Sequence, residues 1–200
     1  MTKNIIMALM TCCFFQACQS ESEFDSKAFF KANCSICHEN TEMQRGPNIF
    51  GLNEKYIFKQ LEKYEQGIRG KNIINKSEHL MGSISNLLPK GSKRVSLSKW
   101  ISEQKAPKFI YNLKGSYEGV VDKAQACLNC HQEGQELINP NLLSLEPWYL
   151  LDQLRKFKRN WRGYHKDDHE GKVMGQAIAH LDDKELKKIT LYLQALMVKK

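Results

Sequence analysis

Apolar residues in this 200-residue chain recur at helical spacing, and no segment alternates with the period of two that marks a half-buried strand. Ile57, Leu61 and Tyr64 form one stripe, and Leu150, Leu154 and Phe157 form another. A third runs through Leu186, Ile189, Leu193 and Leu196 near the C-terminus. The spacing predicts helices near 53–66 and 146–160 and a terminal helix through the third stripe. Shorter helices are expected at about 24–36 and 118–129. Pro147 suits the first turn of its helix, where a missing N–H leaves no hydrogen bond unmade. The segment Asn86 to Ser98 is rich in Ser, Lys and Gly, which predicts a short or late-starting helix there. The expected fold class is all-α.

These elements occur twice. A shift of 93 positions lays Pro47-Asn48 on Pro140-Asn141, Leu52 on Leu145, Tyr56 on Tyr149 and Gln60-Leu61 on Gln153-Leu154. The same shift matches Lys63 to Lys156, Arg69-Gly70 to Arg162-Gly163 and Met81-Gly82 to Met174-Gly175. One extra residue in the first copy then brings Leu97 and Trp100 onto Ile189 and Tyr192. Two tandem domains follow, 24–102 and 117–200, with a linker over 103–116. Phe109, Ile110 and Tyr111 of the linker are expected to pack across the domain surfaces. A unit of some eighty residues has a marginal core on its own, so each is expected to need apolar volume from elsewhere.

The repeat also contains that missing component. Cys34-Ser-Ile-Cys37-His38 and Cys127-Leu-Asn-Cys130-His131 are two C-x-x-C-H motifs at the same 93-residue interval. Thiols one helical turn apart can each add to a vinyl group of one porphyrin. The next histidine then lies under the ring and offers a nitrogen to its iron. The motifs therefore predict two covalently bound haem c groups, on Cys34 and Cys37 and on Cys127 and Cys130, with His38 and His131 as axial ligands. Four thiolates would also suit zinc, but a zinc ribbon does not require the adjoining histidine. The other three of the seven cysteines (Cys12, Cys13, Cys18) lie in the first eighteen residues, so none is left for a structural disulfide in the body.

Met81 and Met174 each follow the first cysteine of their motif by 47 residues, which predicts them as the sixth iron ligands, set in loops before the last helix of each copy. A thioether there favours ferrous iron and raises the potential. His79 is the alternative in the first copy, but its counterpart is Lys172. Met43 and Met197 read as packing or surface residues. Pro47 and Pro140 follow the motif histidines by nine residues, placing a nearby carbonyl to orient the imidazole; the alternative is an ordinary loop proline. Arg69 and Arg162 occupy matching loop positions, where a guanidinium pairs with a haem propionate or simply faces solvent.

The N-terminus reads as an export signal over 1–17. Lys3 is its only charge before a short apolar run, and Phe15-Gln16-Ala17-Cys18 resembles a lipobox. On that reading Cys18 is lipidated and 18–23 is a tether; otherwise a plain signal peptide is cleaved near Ala17. The formal charge of +8 falls to +7 without Lys3 and to about +3 once two haems add four propionates. There is no dense basic helix with interleaved aromatics, so nucleic acid is not an expected partner.

Together the two C-x-x-C-H motifs, Gly46-Pro47-Asn48 and Asn139-Pro140-Asn141, the helices from Tyr56 and Tyr149, and Met81 and Met174 resemble the dihaem cytochrome c4 family: two class I cytochrome c domains in tandem. That resemblance covers about 24–198. It implies a periplasmic carrier, often membrane-associated, of single electrons between respiratory partners, from the cytochrome bc1 region toward terminal oxidases or reductases. It implies redox proteins as partners, a lipid-anchored membrane location in a Gram-negative bacterium, and no small-molecule substrate. The alternatives are a dihaem enzyme, for which the cluster His165-Lys-Asp-Asp168-His169 is the one local acid–base feature, and a redox-sensing or oxidase-associated subunit with one displaceable axial ligand. The copies differ at Gly46 against Asn139 and at Phe30 against Lys123, so unequal haem environments are expected.

Overall fold

The structure, a computed structural model, describes residues 23–39, 46–106, 115–131 and 139–198. The expected signal peptide, Cys18, nearly all of the tether, Met43 and residues 107–114 of the linker lie outside the described residues. Every regular element among those described is helical. The first half comprises α1 (Ser26–Asn33), α2 (Ser35–His38), α3 (Glu54–Glu65), α4 (Lys76–Ser83) and α5 (Gly91–Glu103). The second comprises α6 (Val121–His131), α7 (Pro147–Lys158), α8 (His169–Ile178) and α9 (Asp183–Val198). Short 3-10 turns cover Ser85–Leu87 and Leu142–Ser144. No described helix is long and apolar enough to cross a membrane.

The two halves repeat one plan. Helix α5 packs on α1 and α3, and α9 packs on α6 and α7. Phe30, Ile57, Leu61, Leu97 and Ile101 fill the first core; Leu150, Leu154, Leu186, Ile189 and Leu193 fill the second. Helices α3 and α7 coincide residue for residue under the 93-residue shift, because their apolar stripes do. Their starts differ in chemistry: the Asn53 side chain accepts from the Tyr56 N–H at 3.2 Å, whereas α7 opens on Pro147.

The leading helices show where the copies diverge. Phe30 is fully buried, ringed by Phe50 and Trp100 at centroid distances of 5.1 and 5.3 Å. Its counterpart Lys123 stays at the surface and pairs with Glu185, while Val120 and Ala124 are buried instead. The second leading helix thus turns a stripe one residue away toward its core, a rotation of about 100°, because a lysine cannot fill a phenylalanine's place. The first is broken at Cys34 into α1 and α2, and the second runs unbroken through Cys127 and Cys130.

Helices α4 and α8 depart from the sequence expectation of loops around Met81 and Met174. Each buries almost nothing apolar, Glu78 alone in α4 and Gly171 and Ile178 in α8, so hydrophobic periodicity does not announce them.

Candidate functional site

Each half builds a cavity around its motif histidine. The Nδ1–H of His38 donates to the Pro47 carbonyl at 2.7 Å, and that of His131 to the Pro140 carbonyl at 2.9 Å. A carbonyl only accepts, so the bond fixes the proton on Nδ1 and leaves Nε2 with its lone pair. Burial lowers both histidine pKa values despite these bonds, which keeps the rings neutral. Gly46 brings this loop against the imidazole: a Cβ there would lie 2.7 Å from His38 Cε1. The Gly46 N–H donates to the Cys37 carbonyl at 3.0 Å. In the second copy the Asn139 side-chain amide makes the equivalent bond to the Cys130 carbonyl at 3.1 Å, so the asparagine substitutes for a backbone contact.

The first cavity, of about 300 Å³, is lined by Cys34, Cys37, His38, Pro47, Arg69 and Met81. Burial, reinforced by Cys37, pushes the Cys34 thiol up to about 11. The second cavity, of about 70 Å³, is lined by His131, Pro140, Arg162 and Met174. Cys127 packs half-buried against the core, its thiol also raised by burial, and Cys130 is exposed; neither lines this cavity. The structure thus brings all the first-copy candidates together, and in the second copy joins the histidine, proline, arginine and methionine but not the thiols. His79 is not on the first cavity's wall; its Nδ1 donates to the Gly70 carbonyl at 3.2 Å.

Both cavities are apolar along their length and polar where the halves meet. Gln60 Oε1 accepts from Arg69 at 2.7 Å and from Arg162 at 3.1 Å. Gln153 Oε1 accepts from Arg162 at 2.5 Å and from Arg69 at 3.0 Å. The result is a four-residue ring with approximate twofold symmetry across the junction. The arginines also lie over rings at matching positions, Arg69 over Tyr64 at 4.9 Å and Arg162 over Phe157 at 4.6 Å. Burial alone would raise the pKa of Tyr56, but Arg162 and Arg69 hold it below its ordinary value. Tyr56, Gln60, Tyr149 and Gln153 line both cavities, so one layer of side chains separates them.

The ring's charges are balanced differently. Arg69 Nη2 donates to Glu78 Oε1 at 2.6 Å, with both side chains about 5% exposed. Burial would raise the Glu78 carboxyl, but Arg69, Arg162 and Lys156 hold it below its ordinary value. Among the described residues Arg162 has no carboxylate within hydrogen-bond reach; Gly171 stands where the first copy has Glu78. Lys63 reaches from the first half to Asp168 at 2.5 Å and Glu170 at 2.8 Å in the second. Its counterpart Lys156 pairs with Asp152 of its own helix at 2.5 Å and donates to Ser77 across the junction at 2.7 Å.

This junction is what the sequence reading missed. Gln60, Gln153, Lys63 and Lys156 all stood in the repeat as polar residues on helices with apolar stripes, and that placement was the available signal. Asp168, taken there as part of an acid–base cluster, is buried against Lys63 and caps α8 by accepting from the Gly171 N–H at 3.1 Å.

The donor set of the first half fits a covalently held haem; in the second half the histidine, methionine and arginine do, with the two thiols outside the cavity. An imidazole nitrogen and a methionine line each wall, apolar side chains occupy the length, and arginine and lysine stand at one end where acidic substituents would fall. It does not fit zinc: among the described residues no three His, Cys, Asp or Glu side chains converge.

Comparison with known proteins agrees. The profile of the cytochrome c family matches residues 120–197. Cytochrome c4 of Azotobacter vinelandii is 23% identical over 187 residues, covering 82% of this chain and 85% of that one. The structure of Acidithiobacillus ferrooxidans cytochrome c4 superposes with a TM-score of 0.62 at 22% identity, covering 82% of this chain and 99% of that chain. A thiosulfate dehydrogenase, TsdBA from Marichromatium purpuratum, contains a similar fold within 35% of its length, matching 80% of this chain with a TM-score of 0.56 at 18% identity. The chain is thus similar to cytochrome c4 in sequence and shares its fold, and residues 120–197 match the cytochrome c family.

Proposed function

We propose that this chain is a dihaem electron carrier of the periplasm, with domains at 24–102 and 117–200, that passes single electrons between redox proteins. Cys34 and Cys37 would hold one haem and Cys127 and Cys130 the other, with His38 and Met81, and His131 and Met174, as the donors to each iron. A haem so held supplies an iron that gains and loses one electron. The protein's residues do the rest. Pro47 and Pro140 fix the imidazole tautomer and raise its basicity. Met81 and Met174 offer a soft donor that favours the ferrous state. The apolar lining excludes water, and Arg69, Arg162 and Lys156 offset acidic substituents at the junction. The observation that carries this reading is that both histidine–methionine pairs line cavities sharing one wall of side chains. An electron passing between the halves would cross this one layer of side chains. Covalent attachment of this kind takes place outside the bacterial cytoplasm, which accords with the apolar N-terminus as an export signal and Cys18 as a lipid anchor.

The test is made on the holoprotein. Haem quantification is expected to give two haems per chain, neither of which binds carbon monoxide when reduced. Met81→Ala and Met174→Ala are each expected to open one iron to carbon monoxide and lower one potential. An unchanged spectrum in either variant removes that methionine as a ligand. Carbon monoxide binding by the wild type would favour an enzyme or sensor instead.

A further inference from the structure

One peptide group of the first half is held from both ends. Its carbonyl, that of Pro47, accepts from the His38 Nδ1–H at 2.7 Å, and its N–H, that of Asn48, donates to Glu146 Oε2 at 2.7 Å. Glu146 belongs to the second half, 98 residues further along the chain. It occupies the N-cap position of α7, yet its side chain does not cap that helix, and it is 2% exposed. A residue placed there for its helix would be a shorter Asp, Asn or Ser accepting from the first turn. A carboxylate is costly to bury, and this one is directed at a backbone loop of the other half.

The repeat supplies an internal control. His131 donates to the Pro140 carbonyl at 2.9 Å, and under the 93-residue shift the counterpart of Glu146 is Asn53. The Asn53 side chain turns to its own helix and accepts from the Tyr56 N–H at 3.2 Å. Each loop is braced alike by its own asparagine: Asn48 Oδ1 accepts from the Phe50 N–H at 2.9 Å, and Asn141 Oδ1 from the Leu143 N–H at 3.0 Å. A loop that orients the histidine therefore forms without a glutamate from the other half. The charges near the two rings also differ in sign. Beyond burial and the carbonyl bond, which act on both, His38 has Glu146 nearby and His131 has Arg162.

We propose that Glu146 is a positioning residue for the first iron site: it polarises the peptide joining Pro47 to Asn48 and through it strengthens His38 as a donor. The proposal rests on the carrier reading above and adds a route by which the second half sets the potential of the first. A carboxylate that accepts from a peptide N–H shifts electron density onto the carbonyl oxygen of the same unit. That oxygen then accepts more strongly from the His38 Nδ1–H, and Nε2 becomes more basic. A more basic nitrogen favours the ferric state, so Glu146 lowers the first potential. Glu78 pairs with Arg69 instead, and its charge acts through space.

The experiment is proton NMR of the reduced, isotope-labelled holoprotein, beside a redox titration that resolves the two haems. In the wild type the His38 Nδ1–H resonance is expected downfield of that of His131, a comparison that needs no variant. Glu146→Gln keeps an acceptor within reach of Asn48 and removes the charge. It is expected to move the Asn48 N–H and His38 Nδ1–H resonances upfield and to leave that of His131 in place. It is also expected to shift the first one-electron equilibrium about 10-fold toward ferrous iron, ~59 mV, with the second unchanged. Glu78→Gln is expected to raise the first potential without moving the His38 resonance. Wild-type resonances in the reverse order overturn the proposal and leave the carrier intact. So does a Glu146→Gln protein whose His38 resonance stays in place. A lower melting temperature alone then makes the carboxylate a structural strut, and a shifted potential alone makes it a charge acting through space. Fewer than two haems per chain, or carbon monoxide binding at the first iron of the reduced wild type, removes the carrier reading and the proposal with it.

Discussion

At the scale of single residues, what distinguishes the arginine ends of the two proposed haem sites is a carboxylate. Arg69 and Arg162 grip the same pair of glutamines, yet only Arg69 has a buried acid, Glu78, beside it. A negative charge near a haem stabilises the ferric state, so Glu78→Gln is expected to raise the first potential by tens of millivolts, with ~59 mV for each tenfold change in the one-electron equilibrium. It also leaves Arg69 buried without a counter-charge, at a cost on the order of 3 kcal/mol. A redox titration resolving the two haems and a thermal melt check these; a shift in the second potential alone would contradict the placement. The pH dependence follows from the same pair. The folded Glu78 pKa lies below its ordinary 4.5, so the folded state binds fewer protons there than the unfolded state. The stabilisation is complete above 4.5 and is lost as pH falls through the depressed value. Acid unfolding of the wild type is expected to steepen in that window, and that of Glu78→Gln to stay flatter.

At the scale of elements, α3, α7 and α9 were legible because a helix that buries one stripe writes its period into the sequence. The cavity residues were legible because two motif copies keep one register. Helices α4 and α8, which carry the methionines, were not, since they bury little that is apolar. Nor was the role of the glycines after the methionines. A Cβ on Gly82 would lie 2.5 Å from the Gly70 carbonyl oxygen and 2.9 Å from its carbon, so α4 packs on the Arg69-Gly70 loop only without one. In the second half Gly163 meets Gly171 instead, and a Cβ on Gly175 would meet nothing nearer than the Phe157 carbonyl at 3.9 Å. Identical Met-Gly pairs therefore do different work. Gly82→Ala is expected to push α4 off its loop at a cost of about 1–3 kcal/mol and to weaken Met81 ligation, seen as carbon monoxide binding at one haem. Gly175→Ala is expected to be neutral or to stabilise by up to ~1 kcal/mol through helix propensity. Equal effects at the two positions would contradict the packing.

At the scale of the whole molecule, the halves are joined by buried polar contacts whose strength is uneven. Lys63 gives the junction its ion pair with Asp168, both side chains under 8% exposed. Asp168 also caps α8, the helix that carries Met174, so a charge from the first half holds the second half's methionine helix in place. Lys156 is neutralised by Asp152 of its own helix, which is 38% exposed, and needs only Ser77 across the junction. Lys63→Ala should therefore leave a buried carboxylate unpaired, costing about 3–5 kcal/mol. Lys156→Ala leaves a carboxylate that water can reach and should cost no more than ~1 kcal/mol. The loss at Lys63 is expected to appear twice: as a lower melting temperature of the holoprotein, and as carbon monoxide binding at the second haem, although Lys63 belongs to the first half. Asp168→Asn in the Lys63→Ala background removes the stranded charge and is expected to restore most of the stability, because the asparagine can still cap α8. If instead the double variant melts no higher than Lys63→Ala, or if Lys156→Ala opens an iron as readily, the halves are held by apolar packing and the charges across the junction do not position the methionine.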